Sequence, residues 1–524
     1  MMRSATAKSG PISVAIVGAG FAGLRCADVL LKKGVKVSIF EARNRVGGRV
    51  AQSRQLGHIV DLGPNWIHGS EDNPMFHIAK ATGTTLHEWN ESLMVIDRDG
   101  TIMDAHQVSD YAEKIWEDII PNAFKLAKER NETIDPKTSL YDFFIERAAT
   151  MFQDEPNEIA ERKRTTLLEM GRVWGSYIGS PYSRQSLKFF WLEECIEGEN
   201  PFVAGTYEKI LGVVKKPAEE QADIKLNSEV SFFYGRGSEK SAGIQTVDGV
   251  CHEFDEVVVT TPLGWLKSHK DAFKPALDPR LSQAIDNISY GSLDKVYITF
   301  PSAFWDMPPA PNPLPPNNLN PTPEPPNIKP KPTPLDQPPL IANETHHHPP
   351  FTHWLSPTYA PDTNPQGWDC QAMNMAGLPG ETAHATLLYY IHGANSKHIA
   401  ELVQTTPDAT SLDEKLTAYF KPYYSLLPNY SATDPNCVPK AVLATAWAAD
   451  EFAGFGSYAN FQVGLEQGDE DVETMRRGMP ERGIWLAGEH TAPFVALGTT
   501  TGAYWSGEAV AKRILKVYGL EEVV

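Results

Sequence analysis

The stretch that decides the fold is Ile12-Ser13-Val14-Ala15-Ile16-Val17-Gly18-Ala19-Gly20-Phe21-Ala22-Gly23, close to the start of the 524-residue chain. Its β-branched first half is typical of a buried parallel strand, and its second half is a G-x-G-x-x-G turn leading into a helical segment. A second predicted strand, 35–40, ends at Glu41, 18 residues after Gly23. Strand, glycine turn, helix, strand and acid in this order predict a Rossmann-like dinucleotide-binding unit.

The residues of this unit have separate physical roles. Gly18 makes the tight turn, Gly20 lets a pyrophosphate approach the backbone, and Gly23 allows the helix to pack closely on the strand. Glu41 is placed to accept hydrogen bonds from ribose hydroxyls. Because a carboxylate at this position disfavours a 2′-phosphate, FAD or NAD is predicted rather than NADP.

The next loop distinguishes FAD from NAD. It reads Glu41-Ala42-Arg43-Asn44-Arg45-Val46-Gly47-Gly48-Arg49. Two adjacent glycines and three arginines directly after a ribose-binding acid indicate a second loop packed against phosphates and a flavin ring. We therefore predict FAD as the cofactor, with Ala42, Arg43, Gly48 and Arg49 among its contacts.

At this point the sequence resembles the flavin amine oxidase family, which includes monoamine oxidases, polyamine and spermine oxidases, and lysine-specific histone demethylases. The resemblance is closest to fungal and animal polyamine and spermine oxidases. The family patterns G-x-G-x-x-G and E-A-R-x-R-x-G-G-R both stand intact, and further matching blocks follow in family order. These blocks are Asp61–Gly69, Val257–Gly264, Gly291–Tyr297, Leu486–Thr491 and Gly498–Ala503.

The resemblance implies an α/β fold of amine-oxidase architecture with two domains. A discontinuous, Rossmann-like FAD-binding domain is expected over 11–85, 205–294 and 437–524. An α+β substrate-binding domain is expected over 86–204 and 295–436. Residues 307–350 hold 17 of the 41 prolines, which predicts a PPII-like or disordered insertion within the second domain.

Three catalytic candidates follow from the resemblance. Lys295 lies in an alternating segment typical of a strand, and its ammonium is expected to hold a water beside the flavin and to assist oxygen reduction. His68 is expected beside the substrate amine as a hydrogen-bonding or proton-accepting group, with a structural role as the alternative. Tyr458 is expected to flank the amine with an aromatic wall.

The resemblance also implies further flavin contacts and a mode of attachment. Ser457 stands where monoamine oxidases carry the cysteine that bonds the flavin, so the FAD should be bound non-covalently. Thr499 replaces a second aromatic of the monoamine oxidase cage, which favours long or bulky amines. The remaining expected contacts are Phe21, Ala22, Gly63, Pro64, Asn65, Trp66, Val230, Trp447, Gly488, Glu489, Thr499 and Thr500.

Composition limits the other classes of function. The net charge of −19 argues against a nucleic-acid binder with a basic face, and no run of about 20 apolar residues predicts a membrane span. The five scattered cysteines and the polar N-terminus favour a cytoplasmic protein without a metal site. Four acids, Glu193, Glu194, Glu197 and Glu199, are read either as a solvated face or as a grip for a remote ammonium.

The predicted activity is FAD-dependent oxidation of an amine, a polyamine or N-acetylpolyamine, to an imine that water hydrolyses, with O2 reduced to H2O2. The partners are thus a small-molecule amine and O2, without nucleic acid or membrane. Oxidation of another amine in secondary metabolism, L-amino-acid oxidation, a histone demethylase-like activity and an idle FAD-binding protein stay open as alternatives.

Overall fold

The computed structural model describes residues 11–237, 241–308 and 348–520, which form a mixed α/β fold with several sheets. The strands are β1 (Ser13–Val17), β2 (Lys36–Phe40), β3 (Gln52–Ser53), β4 (Val60–Asp61), β5 (Leu93–Ile96), β6 (Asp223–Lys225), β7 (Val230–Tyr234), β8 (Ala242–Thr246), β9 (Cys251–Phe254), β10 (Glu256–Val259), β11 (Phe273–Lys274), β12 (Ser289–Tyr290), β13 (Leu293–Thr299), β14 (Phe351–Trp354), β15 (Cys370–Asn374), β16 (Thr386–His392), β17 (Ala441–Ala444), β18 (Ala459–Asn460) and β19 (Ile484–Leu486). The α-helices are α1 (Phe21–Leu31), α2 (Pro74–Ala81), α3 (Ala105–Glu113), α4 (Ile120–Arg130), α5 (Leu140–Ala149), α6 (Asn157–Gly171), α7 (Gly175–Ile178), α8 (Glu208–Gln221), α9 (Leu263–Ser268), α10 (Pro279–Asn287), α11 (Gly393–Thr405), α12 (Ala409–Tyr424), α13 (Gly468–Arg477) and α14 (Thr500–Val517).

A five-stranded parallel sheet, in the order β19-β10-β1-β2-β6, contains the opening stretch of the sequence. β1 is flanked by β10 and β2, and Val14 to Val17 are all buried. A central parallel strand is covered on both faces, which explains its near-continuous apolar run. The strand predicted over 12–17 is confirmed as β1.

Successive residues of β1 pack into two different cores. Val14 and Ile16 pack with α1, α8 and α14, whereas Ala15 and Val17 pack with β7, β8, α10 and α13. This alternation is the two-residue period of a strand. The parallel sheet is therefore a middle layer, and the glycine turn leaves it at the carboxyl end of β1.

A six-stranded sheet, in the order β17-β13-β16-β15-β14-β5, forms the second large unit. Its pairs are antiparallel except β14 with β5. Lys295 lies in β13, as its alternating segment predicts, and it is directly opposite Tyr390 of β16.

Residues 105–130 form an almost continuous helical segment. α3 and α4 are joined by a π-helical turn over Lys114–Ile119. Its buried residues, Ile115 and Ile119, pack in the same core as Trp174 and Phe190.

The two large sheets draw on different segments of the chain. The five parallel strands come from within 11–85, 205–294 and 437–524. β17 also lies within 437–524, yet it pairs with β13 in the six-stranded sheet, since Val442 faces Ile298. The predicted insertion over 307–350 falls mostly on 309–347, which lie outside the described residues.

Candidate functional site

A cavity of about 640 Å³ is lined by residues of both large sheets. Its lining includes every catalytic and flavin-contact candidate named from the sequence except Gly23. These residues are Gly18, Gly20, Phe21, Ala22, Glu41, Ala42, Arg43, Gly48, Arg49, Gly63, Pro64, Asn65, Trp66, His68, Val230, Lys295, Trp447, Tyr458, Gly488, Glu489, Thr499 and Thr500.

The glycine turn has the geometry that each of its glycines predicts. Gly18 has φ +107°, a backbone conformation that favours glycine. A Cβ at Gly23 would lie 2.1 Å from the carbonyl oxygen of Gly18, so only glycine lets α1 pack against the turn. A Cβ at Gly20 would meet no atom within 4 Å. Gly23 thus supports the turn from behind, whereas Gly20 leaves backbone open to the cavity.

Glu41 closes the end of β2 and is buried. Its Oε2 accepts a 2.7 Å hydrogen bond from the Ala19 N–H, and its Oε1 accepts one of 2.9 Å from the Arg43 N–H. The Arg43 guanidinium pairs with Asp450 at 2.9 Å. Glu41 therefore ties the glycine turn to the following loop, and each carboxylate oxygen keeps a further lone pair for a ligand.

Arg49 joins the second loop to the C-terminal block. Its guanidinium donates to the Tyr290 hydroxyl and to Glu489 Oε1, both at 3.1 Å, and to the carbonyl oxygen of Ser457. Glu489 is 3% exposed. This buried ion pair positions the loops around Ser457 and Tyr458 against the cavity.

Lys295 is buried in β13, with 5% of its surface exposed. Its ammonium donates to the Gly63 carbonyl oxygen and lies 5.6 Å from the centre of the Tyr390 ring. Burial lowers the pKa of Lys295, and the buried carboxylate of Asp61 acts in the opposite direction by favouring the ammonium. The result is an amino group at the cavity wall whose protonation is set by these two opposing effects.

Asp294, the neighbour of Lys295, holds the Trp447 segment in place. Its buried carboxylate accepts hydrogen bonds from the Thr445 hydroxyl at 2.6 Å, the Trp447 N–H at 2.7 Å and the Ser396 hydroxyl at 2.8 Å. The Trp447 indole then donates to the Leu62 carbonyl oxygen at 2.9 Å. The sequence indicated the tryptophan but assigned no role to this carboxylate, although Asp294 lies in the matching block Gly291–Tyr297.

His68 and Tyr458 contribute different chemistry to the same cavity. Burial lowers the pKa of His68 to about 4, so its imidazole is neutral near pH 7 and can accept a hydrogen bond. The Tyr458 hydroxyl donates to the Tyr177 carbonyl oxygen at 2.5 Å, which fixes the orientation of its ring.

The structure adds residues that the sequence motifs did not identify. Tyr390, Trp174 and Tyr177 line the cavity, and the Tyr390 hydroxyl donates to Asn65 Oδ1 at 2.8 Å. Of the four acids predicted as a cluster, Glu193 lines the cavity, whereas Glu194 pairs with Lys128 at 2.8 Å. Glu197 and Glu199 are exposed. The acids therefore divide between the cavity and the surface.

The described ranges 11–237, 241–308 and 348–520 contain neither a metal-binding cluster nor a membrane-spanning helix. No group of three or more His, Cys, Asp or Glu side chains there could hold a metal ion. Each helix in those ranges is too short or too polar to cross a bilayer.

Comparisons with known proteins bear on this geometry. The family described as "Flavin containing amine oxidoreductase" matches residues 21–515. "Probable polyamine oxidase 4" of Arabidopsis thaliana is 27% identical over 301 residues, which are 56% of this chain and 59% of that protein. "Protein FLOWERING LOCUS D" of Arabidopsis thaliana is 26% identical over 499 residues, 93% of this chain and 53% of that protein.

A third similar protein is "Lysine-specific histone demethylase 2" of Homo sapiens, 26% identical over 300 residues, 56% of this chain and 35% of that protein. The matches thus cover from about a third to three fifths of the length of these curated relatives.

Proposed function

The chain belongs to the flavin containing amine oxidoreductase family, and from that premise we propose that it oxidises a polyamine or N-acetylpolyamine with FAD as cofactor. In the overall reaction a secondary amine, O2 and water give an aldehyde, a primary amine and H2O2. The observation that carries the proposal is that Lys295, His68 and Tyr458 line one cavity with Gly18 and Gly20.

The glycine-rich end of the cavity fits FAD. The backbone at Gly20 is open, since no atom lies within 4 Å of a Cβ placed there. The Thr261 hydroxyl lines the cavity and is buried with no hydrogen-bond partner in the described part of the chain. A buried hydroxyl without a partner is costly, and a polar cofactor would supply one.

The residues assigned to FAD follow from their positions. Gly18 and Gly20 would hold the pyrophosphate, Glu41 the ribose, and Arg49 and Trp447 the flavin end, with Ser457 giving no covalent link. When bound, FAD would supply the acceptor for the hydride, a hydrogen with its electron pair, that leaves the carbon beside the substrate nitrogen.

The same proposal divides the chain into two domains. We assign 11–85, 205–294 and 437–524 to a Rossmann-like FAD-binding domain and 86–204 and 295–436 to an α+β substrate-binding domain. The parallel order of β10, β1 and β2 supports the first assignment, and the placement of Lys295 and Tyr390 in the six-stranded sheet supports the second.

The side chains at the other end of the cavity prepare the amine. Neutral His68 accepts a hydrogen bond from the substrate nitrogen. With its pKa lowered to about 4, it is too weak a base to take the substrate's proton near pH 7. Tyr458 flanks the amine and excludes water from its apolar side. Lys295, whose ammonium has few fixed partners, holds a water molecule and stabilises the negative charge that develops when O2 is reduced.

The test is an anaerobic titration of the FAD-loaded protein with spermine, N1-acetylspermine, other alkylamines and L-amino acids. Bleaching of the flavin by an amine, followed in air by one H2O2 for each aldehyde, is the expected result. A flavin that no compound reduces contradicts amine oxidation and leaves an FAD-binding protein. Reduction only by amines outside the polyamine class, or only by L-amino acids, contradicts the substrate assignment.

A second candidate substrate comes from the relatives that are named lysine-specific histone demethylases. In that case the oxidised amine would be a methylated lysine side chain, and the aldehyde would be formaldehyde. A dimethyl-lysine peptide in the same titration distinguishes the two, since the polyamine proposal predicts that it leaves the flavin oxidised.

A further inference from the structure

We propose that a second cavity, which shares Trp447 with the first, binds a small organic carboxylate through the guanidinium of Arg45. The site differs in place and in ligand charge from the cavity that contains Lys295, so it does not depend on the reaction proposed above. Arg45 lies in the loop 41–49, yet neither the flavin contacts nor the catalytic assignments use its side chain.

The second cavity has a volume of about 590 Å³. Its lining includes Gln55 and Gln404, which are exposed, so the cavity is open to solvent. Trp447 lines both cavities. The Trp447 indole donates to the carbonyl oxygen of Leu62, another lining residue of the second cavity. An occupant would therefore contact Trp447 without entering the first cavity.

Arg45 offers unused hydrogen-bond donors to this cavity. One terminal nitrogen of its guanidinium donates to the Gly48 carbonyl oxygen at 2.9 Å and to the Val46 carbonyl oxygen at 3.3 Å. Its Nε and its other terminal nitrogen donate to no group in the described part of the chain. These two nitrogens form the edge of a guanidinium that presents two parallel N–H groups, which is the geometry that binds a carboxylate bidentately.

The charge of Arg45 is not neutralised by an ion pair within the described ranges. Asp450 also lines the cavity, but both of its carboxylate oxygens lie 2.9 Å from one nitrogen of Arg43. Burial lowers the pKa of Arg45, and the charge of Arg43 acts in the same direction, whereas Glu41 and Asp450 favour the charged form. A bound anion would offset both the burial of the guanidinium and its repulsion from Arg43.

The rest of the lining selects the kind of anion. Leu443, Ala444 and Ala446 also line the cavity and give it an apolar side, which suits a ligand with a short hydrocarbon body. A single guanidinium without an ion pair matches one negative charge. A carboxylate carries that charge, whereas a phosphate monoester carries about −1.5 to −2 at pH 7. The lining therefore favours a short organic carboxylate.

The experiment is isothermal titration calorimetry of the FAD-loaded protein with sodium hexanoate and with hexanamide, which has the same carbon chain but no charge. The wild-type protein is expected to bind hexanoate at least about tenfold more tightly, and Arg45→Met should remove that preference by weakening only hexanoate. The matched control is Arg54→Met. Because Arg54 pairs with Glu208 at the surface and lies outside the cavity lining, that variant should keep the wild-type preference.

A second variant keeps the proposal testable if Arg45→Met does not fold. Gln404 is exposed on α11 and lines the cavity, so Gln404→Glu leaves the core intact and adds a negative charge beside the ligand. It should weaken hexanoate several-fold and leave hexanamide unchanged.

Four results would overturn the site. Two of them are equal binding of hexanoate and hexanamide by the wild-type protein, and an unchanged preference in both Arg45→Met and Gln404→Glu. Hexanoate binding that is lost in Lys295→Met but kept in Arg45→Met would place the anion in the first cavity. Tighter binding of hexyl phosphate than of hexanoate would contradict the carboxylate class.

Discussion

Lys295 is a charged side chain at a position where charge is costly. It is 5% exposed in the middle of an antiparallel sheet, opposite Tyr390. Burial alone favours the neutral amine, and the Asp61 carboxylate favours the ammonium. A lysine balanced between these effects can hold a water molecule and respond to a developing negative charge, which is the role proposed for it.

Replacing Lys295 with methionine tests that role. Lys295→Met keeps the length and apolar character of the side chain but removes its charge. We expect oxidation of the amine-reduced flavin by O2 to slow about 100-fold, because the anion formed from O2 loses its stabilising cation. Stopped-flow absorbance measures this rate. Lys36→Met, at the exposed start of β2, is the control, and equal reoxidation rates in both variants would contradict the role.

The sequence predicts those residues of the site that lie in turns and at strand ends. Gly18, Gly20 and Glu41 leave a local pattern, because a glycine at positive φ and an acid at a strand end have few structural alternatives. Tyr390 leaves no such local pattern, because the sequence Thr386–His392 is typical of an apolar core strand. Only the register of this strand with β13 brings the Tyr390 ring to Lys295. Trp174 and Tyr177 lie in a helical region where aromatic residues are typical of a core.

At the scale of elements, two glycines where α1 packs on the turn are expected to act on different properties. Gly23 acts on the stability of the fold, and Gly20 acts on cofactor binding. Gly23→Ala would place a Cβ 2.1 Å from the Gly18 carbonyl oxygen, so α1 must move away from β1. We expect the free energy of unfolding of the FAD-free protein to fall by about 1–3 kcal/mol or more, measured by urea denaturation.

Gly20→Ala is the matched variant, because its Cβ would point into open space. Its FAD-free stability should stay close to wild type, whereas FAD affinity should fall since the methyl group occupies the approach to the pyrophosphate. Flavin fluorescence quenching measures that affinity. Gly212→Ala in α8 also places its Cβ where no atom lies within 4 Å. It should lower neither the FAD-free stability nor the FAD affinity. Loss of stability in Gly20→Ala equal to that in Gly23→Ala would contradict this separation.

Elements that depend on distant partners were harder to predict than the glycine turn. β5 and β17 lie about 350 residues apart, yet they are the two edges of the same sheet. β17 has the short apolar sequence Ala441–Ala444, which gives no indication of its partner. Its pairing with β13 follows from the chain path, so its place in the six-stranded sheet could not be read from local periodicity.

At the scale of the molecule, two sheets with different connectivity share one cavity. The parallel sheet presents the ends of β1, β2 and β10, where the glycine turn, Glu41 and Thr260 lie. The six-stranded sheet presents Lys295, Gln371, Met373 and Tyr390. Ligands bind at the carboxyl ends of parallel strands in open α/β sheets, and the second sheet encloses that position from the other side.

The ends of the Pro-rich stretch predict how the whole molecule responds to its removal. The N–H of His348 donates to Asp306 Oδ1 at 2.8 Å, and the Asn429 amide donates to the Met307 carbonyl oxygen at 3.0 Å. The two described flanks of 309–347 are therefore joined directly. A short Gly-Ser linker can bridge them without displacing β13 or β14.

Replacing 309–347 with that linker is expected to keep the FAD content and the amine kinetics. Shortening a loop of about 40 residues by roughly three doublings should raise the free energy of unfolding by about 2 kcal/mol, since each doubling costs about 0.6 kcal/mol in closure entropy. Urea denaturation and the KM for spermine measure the two effects. A lower stability would show that the segment packs on the fold, and a changed KM with unchanged stability would show that it contributes to the site.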